Sequence, residues 1–593
     1  MPALDPQVES SPVPTSATPM STVPLPSLEQ VFENHTPTLP HVPKHCRVAW
    51  SSLLAPLLRD LARDIGNIRL WIMLFILPRC ILFLPSRGGR GNAKATKSLV
   101  TARIKRWRDG EYAALWLEAC HRAPRSTRVD HPPSLDGRCA NARRARLAIA
   151  EGYLSKAAQS LLSRGLAAPS EEAYESMAAK HPTAAPPRTP DGSPPPPAEV
   201  SLEGLMRAVE SFPTASAPGP SGLRPSHLRE AIHSRCFTTN DRASQALLAL
   251  VNRLASGQAP SAVTPFLCGA TLLACHKKDG GLRPIAVGEV IRRLTSKCLS
   301  FAVRGASARL LAPTQVGVGV RGGSEAVVHA LGRTLNNPSL APSQRWTLFV
   351  DFSNAFNEVD REEMFIQSRA VMPGISAWLE SCYSSPPFLR FGSRTLRSCR
   401  GVQQGDPLGP LAFALALRPL TASISRAAPS LPLHVWYLDD GTLVGAPCEL
   451  LKAWRALASA GPALGLHLNP QKCKLLVPAS ADTRDNCLSP EIPVIREGAT
   501  VLGAPLGPSL YCEQVLADRV AKIGKLVACL PDLQDAHMAT TLLKSCLAFP
   551  RIAFSLRTCP PHPHSSCPGG VRQNHQGRSL YHSWVPLLGL DVG

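Results

Sequence analysis

The sequence predicts an α+β fold in which strand tips carry carboxylates, and three observations lead there. VWYLDDGTLVG (435–445) reads as a short apolar strand, a tight turn and a second strand, with Asp440-Gly441 as the turn dipeptide and Asp439 beside it. TLFVDFSNAF (347–356) is apolar from Leu348 to Val350 and then ends on Asp351. Around these strands apolar residues recur at helical spacing, as in Leu202, Leu205, Met206 and Val209. Three carboxylates on neighbouring strand tips repel one another unless cations lie between them. Oxygen-only donors suit Mg²⁺, with Mn²⁺ as an alternative, and two such ions can clamp an in-line displacement at phosphorus.

The chain has 593 residues, enough for several domains, and its 44% hydrophobic content is ordinary for a globular protein. Lys and Arg number 64 against 43 Asp and Glu, a net charge of +21 that suits a polyanionic partner. The 18 cysteines have no paired spacing, and Cys298 and Cys546 lie in apolar runs, as expected of buried, reduced thiols in an intracellular protein. No signal peptide is expected, because residues 1–40 lack an apolar core. The most apolar stretch, Leu70 to Leu84, is interrupted by Pro78 and Arg79, which predicts a buried helix or strand and no membrane span.

In chain order, residues 1–45 are rich in Pro, Ser and Thr and are expected to be a disordered tail. A basic, mostly helical extension occupies 46–180. Within it Lys94, Lys97, Arg103, Lys105, Arg106 and Arg108 interleave with Trp107, Tyr112 and Trp116. That pattern fits phosphate contact with base stacking, and equally an amphipathic helix with a solvated basic face. A second basic knot is Arg143-Arg144-Ala145-Arg146. HPTAAPPRTPDGSPPPPA (181–198) reads as a Pro-rich linker and a domain boundary.

Beyond it, SAPGPSGLRPSHL (216–228) is a turn-rich loop opening a helix. GATLLACHKKDGGLRPIAVGEVIRRLTSK (269–297) reads as strand, Lys-rich turn, strand and helix. A hairpin bearing Lys277, Lys278 and Arg283 beside carboxylates can grip a triphosphate; the alternative is an exposed charged hairpin. TQVGVGVRGGSEAVVHAL (314–331) is Gly-rich and then helical, and lacks the G-K-[ST] ending of a phosphate-binding ATPase loop. GVQQGDPLGPLAFALAL (401–417) predicts a turn leading into a helix, with Asp406 as N-cap and Pro407 at the first helical position. A helix from Leu450 to Leu464, the segment GLHLNPQKCKLLV (465–477), a short hairpin at VLGAPLG (501–507) and helical periodicity over 513–557 complete the pattern.

Tyr437-Leu438-Asp439-Asp440, preceded by Asp351 and by GVQQGDPLGP, resembles the reverse transcriptases, most closely those of non-LTR (LINE-like) retrotransposons. The resemblance covers roughly residues 200–557. It implies a right-hand polymerase fold with fingers (199–345), a ferredoxin-like palm (346–485), and a primer grip with helical thumb (486–557). It implies an RNA-directed DNA polymerase that uses two Mg²⁺ ions, an RNA template, a DNA primer and dNTPs. Asp351, Asp439 and Asp440 are then the catalytic metal ligands. Nucleotide contacts fall to Lys278, Arg283, the backbone of Phe352, Phe356 as the block to a ribose 2′-OH, Gln404-Gly405, and Lys472 as an acid towards pyrophosphate. Each has a plainer alternative: Phe356 as core, Gln404 in a helix cap, Lys472 on the surface. Gln315 would lie near template or primer. Departures are Asn357 where the family has Asp, Gly409 for Ser, and Leu438 for Ala.

Residues 558–593 show no periodicity and read as a disordered or truncated tail, although Cys559, His562, His564 and Cys567 offer zinc donors on paper. The N-terminal tail is too short to hold an endonuclease, so retrotransposition by this chain alone is not expected. A nuclear location follows only from a retroelement's need for chromosomal DNA. The rivals are an RNA-dependent RNA polymerase, which would carry Gly-Asp-Asp, and a catalytically impaired or co-opted remnant that only binds nucleic acid.

Overall fold

The computed structural model describes residues 24–84, 93–121, 137–163, 165–214, 216–233, 237–277, 280–478 and 488–559. It is a mixed helical and sheet structure. Strands β1 (Ala270–His276) and β2 (Leu282–Gly288) form an antiparallel hairpin. β3 is Trp346–Val350 and β4 Phe352–Ser353; β5 (Phe388–Phe391) and β6 (Arg394–Arg397) are a second hairpin. β7 (Leu433–Tyr437) and β8 (Asp440–Gly445) are a third. Short strands β9 (His467–Leu468), β10 (Lys474–Leu476), β11 (Val494–Ile495), β12 (Ala499–Val501) and β13 (Ala504–Leu506) follow. One sheet has the order β11-β10-β3-β8-β7 and another β2-β1-β5-β6. The second sheet therefore takes two strands from 388–397, inside the stretch expected to be palm alone.

β3 lies mid-sheet, antiparallel to both β8 and β10. Trp346, Thr347, Leu348 and Val350 are all buried, as a strand covered on both faces requires. The helix Gly409–Ala427 packs its run Leu411–Leu417 into the same core. It starts two residues later than expected. Leu408 is its N-cap, and Pro410, not Pro407, stands in its first turn.

The N-terminal region is continuous with this core. Leu28, Val31 and Phe32, within the stretch expected to be disordered, form a capped helix and pack with Phe266 and Phe388. Residues 1–23 lie outside the described residues. The run at 70–84 is a helix, Ile68–Leu82, that holds Pro78 and buries Arg79, whose guanidinium donates to the carbonyls of Val31 and Pro220. Among the described residues no helix is long and apolar enough to cross a membrane.

The basic and aromatic stretch resolves in favour of the amphipathic helix. Trp107 and Trp116 are core residues, and Arg103 is buried with its guanidinium over the Phe83 ring. Arg106 pairs with Glu111 at 2.7 Å and Glu118 at 2.9 Å. Aromatics buried in this way cannot stack on bases. The Pro-rich segment 181–198 does not separate one core from another. It lies along the helix Arg361–Val371, where Arg369 donates to the Asp191 and Gly192 carbonyls, and Ala198 N–H reaches Gly374 O at 2.8 Å. Helices Gly137–Ala150 and Leu154–Leu161 share a satellite core with Cys529, Leu530, Leu533, Leu542 and Leu547 near the other end of the chain. The expected C-terminal helices are Ser509–Val527, Ala536–Leu542 and Phe549–Thr558. Of the four candidate zinc donors only Cys559 is described.

Candidate active site

The β3–β8 register ends with Val350 opposite Gly441, so Asp351, just past β3, and Asp440, the first residue of β8, come next in that register. Tyr437 pairs with Asp440, which makes Leu438-Asp439 the two-residue turn. This corrects the expectation of an Asp440-Gly441 turn. Leu438 takes the left-handed position at φ 58°, and Asp440 already belongs to β8. Gly441 is needed for space: a Cβ there would come within 2.7 Å of the Trp436 ring. That ring is fully buried, stacks on Phe352 at 5.8 Å, and donates Nε1–H to His434 Nε2 at 2.8 Å. Burial pulls His434 down to about 4, so the ring nitrogen stays free to accept.

Asp351 is fixed through its backbone. Its N–H points at Cys473 Sγ (3.3 Å), and its carbonyl accepts from Asn469 N–H (2.9 Å). Cys473 was not anticipated as a support; only a cysteine between two lysines marked it in the sequence. The Phe352 side chain is core, and its backbone pairs with Leu468 in β9.

All three carboxylates are held above the ordinary aspartate range. Burial is the largest cause for Asp351, eased by Lys472 and Lys277. For Asp439 burial is again first, with Asp351 adding to it and Arg283 opposing. Asp440 reaches solvent, yet the protein around it, then Asp439 and Asp351, push it up to about 6. Asp439 and Asp440 therefore each feel another of the three acids, and the basic hairpin lies within electrostatic reach. Among the described residues none of the three makes an ion pair, and no three acidic, His or Cys side chains stand close enough to grip one ion as they are. The donor set still fits a hard divalent cation: carboxylate oxygens only, mutually repelling, with the nearby cations Lys472, Lys277 and Arg283 not in ion-pair contact with them.

Arg283 is exposed beside buried Pro284, and with Lys277 it projects from the β1–β2 hairpin. Lys278 lies outside the described residues. Lys277, which the sequence left level with Lys278, acts on Asp351. Lys472 is exposed and also acts on Asp351. Phe356 is half-buried, with one face stacked on Phe413 at 4.5 Å. Asn357 is buried and donates to Asn354 Oδ1 at 2.7 Å, so this departure from the family pattern points into the protein.

Gln404 and Gly405 dock on β2. Ala286 N–H donates to Gln404 O at 2.8 Å, and a Cβ on Gly405 would run into the Ala286 carbonyl. Asp406 is not the helix N-cap. It is buried, accepting from Arg292 Nη2 at 2.9 Å and Tyr383 OH at 2.8 Å, while its Oδ1 takes Leu408 N–H at 3.0 Å. Arg292 also donates to Gln403 Oε1 and to Cys268 O. This network underlies the Gln404-Gly405 loop. Arg292 lies 114 positions from Asp406 and 111 from Gln403, so no local signal announces it.

Residues 275–506 match the reverse transcriptase (RNA-dependent DNA polymerase) family. The retrotransposable element SLACS 132 kDa protein of Trypanosoma brucei gambiense is 26% identical over 289 residues, which is 47% of this chain and 23% of that protein. The chain thus aligns with under a quarter of that relative's length. The matched span takes in the end of β1 and all of β2, Asp351, the Gln404-Gly405 loop, Asp439, Asp440 and Lys472, so over residues 275–506 this chain is similar to the reverse transcriptases and, in part, to a protein of a retrotransposable element.

Proposed function

We propose that the chain extends a DNA primer on an RNA template by nucleotidyl transfer, with Asp351, Asp439 and Asp440 as the ligands of two divalent ions. The five-stranded sheet is the palm, the β1–β2 hairpin is the working edge of the fingers, β12–β13 is the primer grip, and the helices of 509–558 are the thumb. The observation that carries this reading is the antiparallel register that brings Asp351 to the turn bearing Asp439 and Asp440. When bound, such ions would lower the pKa of the primer 3′-OH and neutralise the pyrophosphate.

The chain's own residues do the rest. Arg283 and Lys277, whose charges are felt at the carboxylates, steady the triphosphate. Phe356, half-buried and stacked on Phe413, meets the sugar where a ribose would place its 2′-OH. Gln404, with its backbone tied to β2, presents its side chain towards the base pair. Lys472 gives a proton to the departing pyrophosphate. Purified full chain should incorporate dTTP on poly(rA)·oligo(dT) with Mg²⁺, and Asp439→Ala should abolish this. Binding of the duplex with no incorporation by wild type would leave only a nucleic-acid-binding protein.

A further inference from the structure

We infer that Gln315 is a positioning residue that holds the turn carrying Asp439 and Asp440 in its working shape. The inference rests on the polymerase reading of that turn. Gln315 is 4% exposed, and two of the three hydrogen bonds of its amide go to the turn. Oε1 accepts from Leu438 N–H at 2.8 Å and from Gly317 N–H at 2.9 Å, while Nε2 donates to Leu438 O at 3.0 Å. The amide orientation is fixed, because two N–H donors converge on one atom, which must be the oxygen. The expectation of a template or primer contact is not met: the side chain is buried and turned into the protein.

Leu438 is the residue that needs holding. It takes φ 58°, a left-handed conformation that a branched side chain adopts only when its surroundings enforce it. Gln315 binds both backbone groups of that one residue, immediately before Asp439. The clamp is itself anchored. Trp436 N–H donates to Thr314 O at 2.6 Å and Val316 N–H to Trp436 O at 2.9 Å, so residues 314–316 are tied to β7 by a parallel β-bridge. Gly317 lets the segment close in, since a Cβ there would come 2.7 Å from Leu438 N and 2.9 Å from Gln315 Oε1. A glutamine 123 residues upstream of Leu438 thereby sets the backbone from which two metal-binding carboxylates project.

The test uses the full chain with Gln315→Glu, which keeps the shape and acceptors but loses the donor, and Gln315→Met, which loses both. Hydrogen exchange of peptides covering 315–318 and 436–441 should accelerate about tenfold or more in both variants, with the rest of the chain unchanged. On poly(rA)·oligo(dT), kcat should fall by roughly tenfold to a hundredfold and the Mg²⁺ requirement should rise, while duplex affinity stays as in wild type. Adding Leu438→Gly to Gln315→Met should recover much of kcat, because glycine accepts the left-handed position unaided. Unchanged exchange at 436–441, or a kcat loss that Leu438→Gly leaves untouched, would overturn the proposal. If the wild-type chain extends nothing, the polymerase reading fails separately, and the exchange measurement alone decides for or against the clamp.

Discussion

Replacing Gly441 by alanine tests how closely the acidic turn, catalytic in the proposed function, depends on the core behind it. The new methyl would stand 2.7 Å from two atoms of the Trp436 ring and 3.0 Å from a third. Ordinary contact requires about 3.5–4.0 Å, so the ring or β8 must shift by roughly 1 Å. The ring has little freedom, being fully buried, stacked on Phe352 and hydrogen-bonded to His434. Forcing a methyl into such a site typically costs about 1–3 kcal/mol. If that strain is relieved by moving β8, Asp440 moves with it, and kcat/KM should fall by roughly fivefold to a hundredfold. Steady-state extension on poly(rA)·oligo(dT), with thermal unfolding in parallel, measures both shares. Gly441→Asn separates two explanations. A glycine kept for left-handed φ would tolerate asparagine, but Gly441 has no positive φ, so asparagine should do at least as badly as alanine. Trp436→Phe should rescue Gly441→Ala by vacating the space. Full activity in Gly441→Ala, or full tolerance of asparagine, would refute the reasoning.

Other outcomes follow from the same geometry. Because Asp440 is raised to about 6 from an ordinary 3.8, proton uptake favours the metal-free folded chain as pH falls through 6. Melting in EDTA should therefore rise between pH 7.5 and 5, and this rise should shrink in Asp440→Asn; Mg²⁺-dependent extension should decline over the same interval as protons compete with the ion. Arg292→Met or Asp406→Leu alone strands a buried charge and should destabilise by about 3–5 kcal/mol, whereas the double substitution should restore much of the loss in chemical denaturation. Phe356→Val should admit ribonucleotides, read as the ratio of rUTP to dTTP incorporation, with a modest fall in melting from the lost stack on Phe413.

Much of the site was legible in the chain alone. Apolar runs ending on Asp351 and on Tyr437-Leu438-Asp439-Asp440 announce strands with acidic tips, since local alternation and turn residues decide such elements. Arg283-Pro-Ile after a Lys-rich turn likewise announces a basic hairpin. What sequence reasoning misjudged were residues whose role is set by a distant partner. Gly441 looked like a turn glycine until the Trp436 ring filled the space where its Cβ would be. Asp406 looked like a helix cap because Asp-Pro before an apolar run fits one, but a buried arginine from another helix claims it. Trp107 and Trp116 fit base stacking or a core equally well until neighbouring helices covered them.

The sequence by itself determined the chemistry: which oxygens, cations and aromatic side chains are available, and on which strands and turns they stand. Only the tertiary structure decided the register that joins β3 to β8, the glutamine that holds Leu438, and the packing of an N-terminal helical pair against the C-terminal helices. The physical reason is range. Backbone preference and hydrophobic period act over a few residues and are written locally, whereas a hydrogen bond or a filled gap between residues a hundred positions apart exists only once the whole chain has closed on itself.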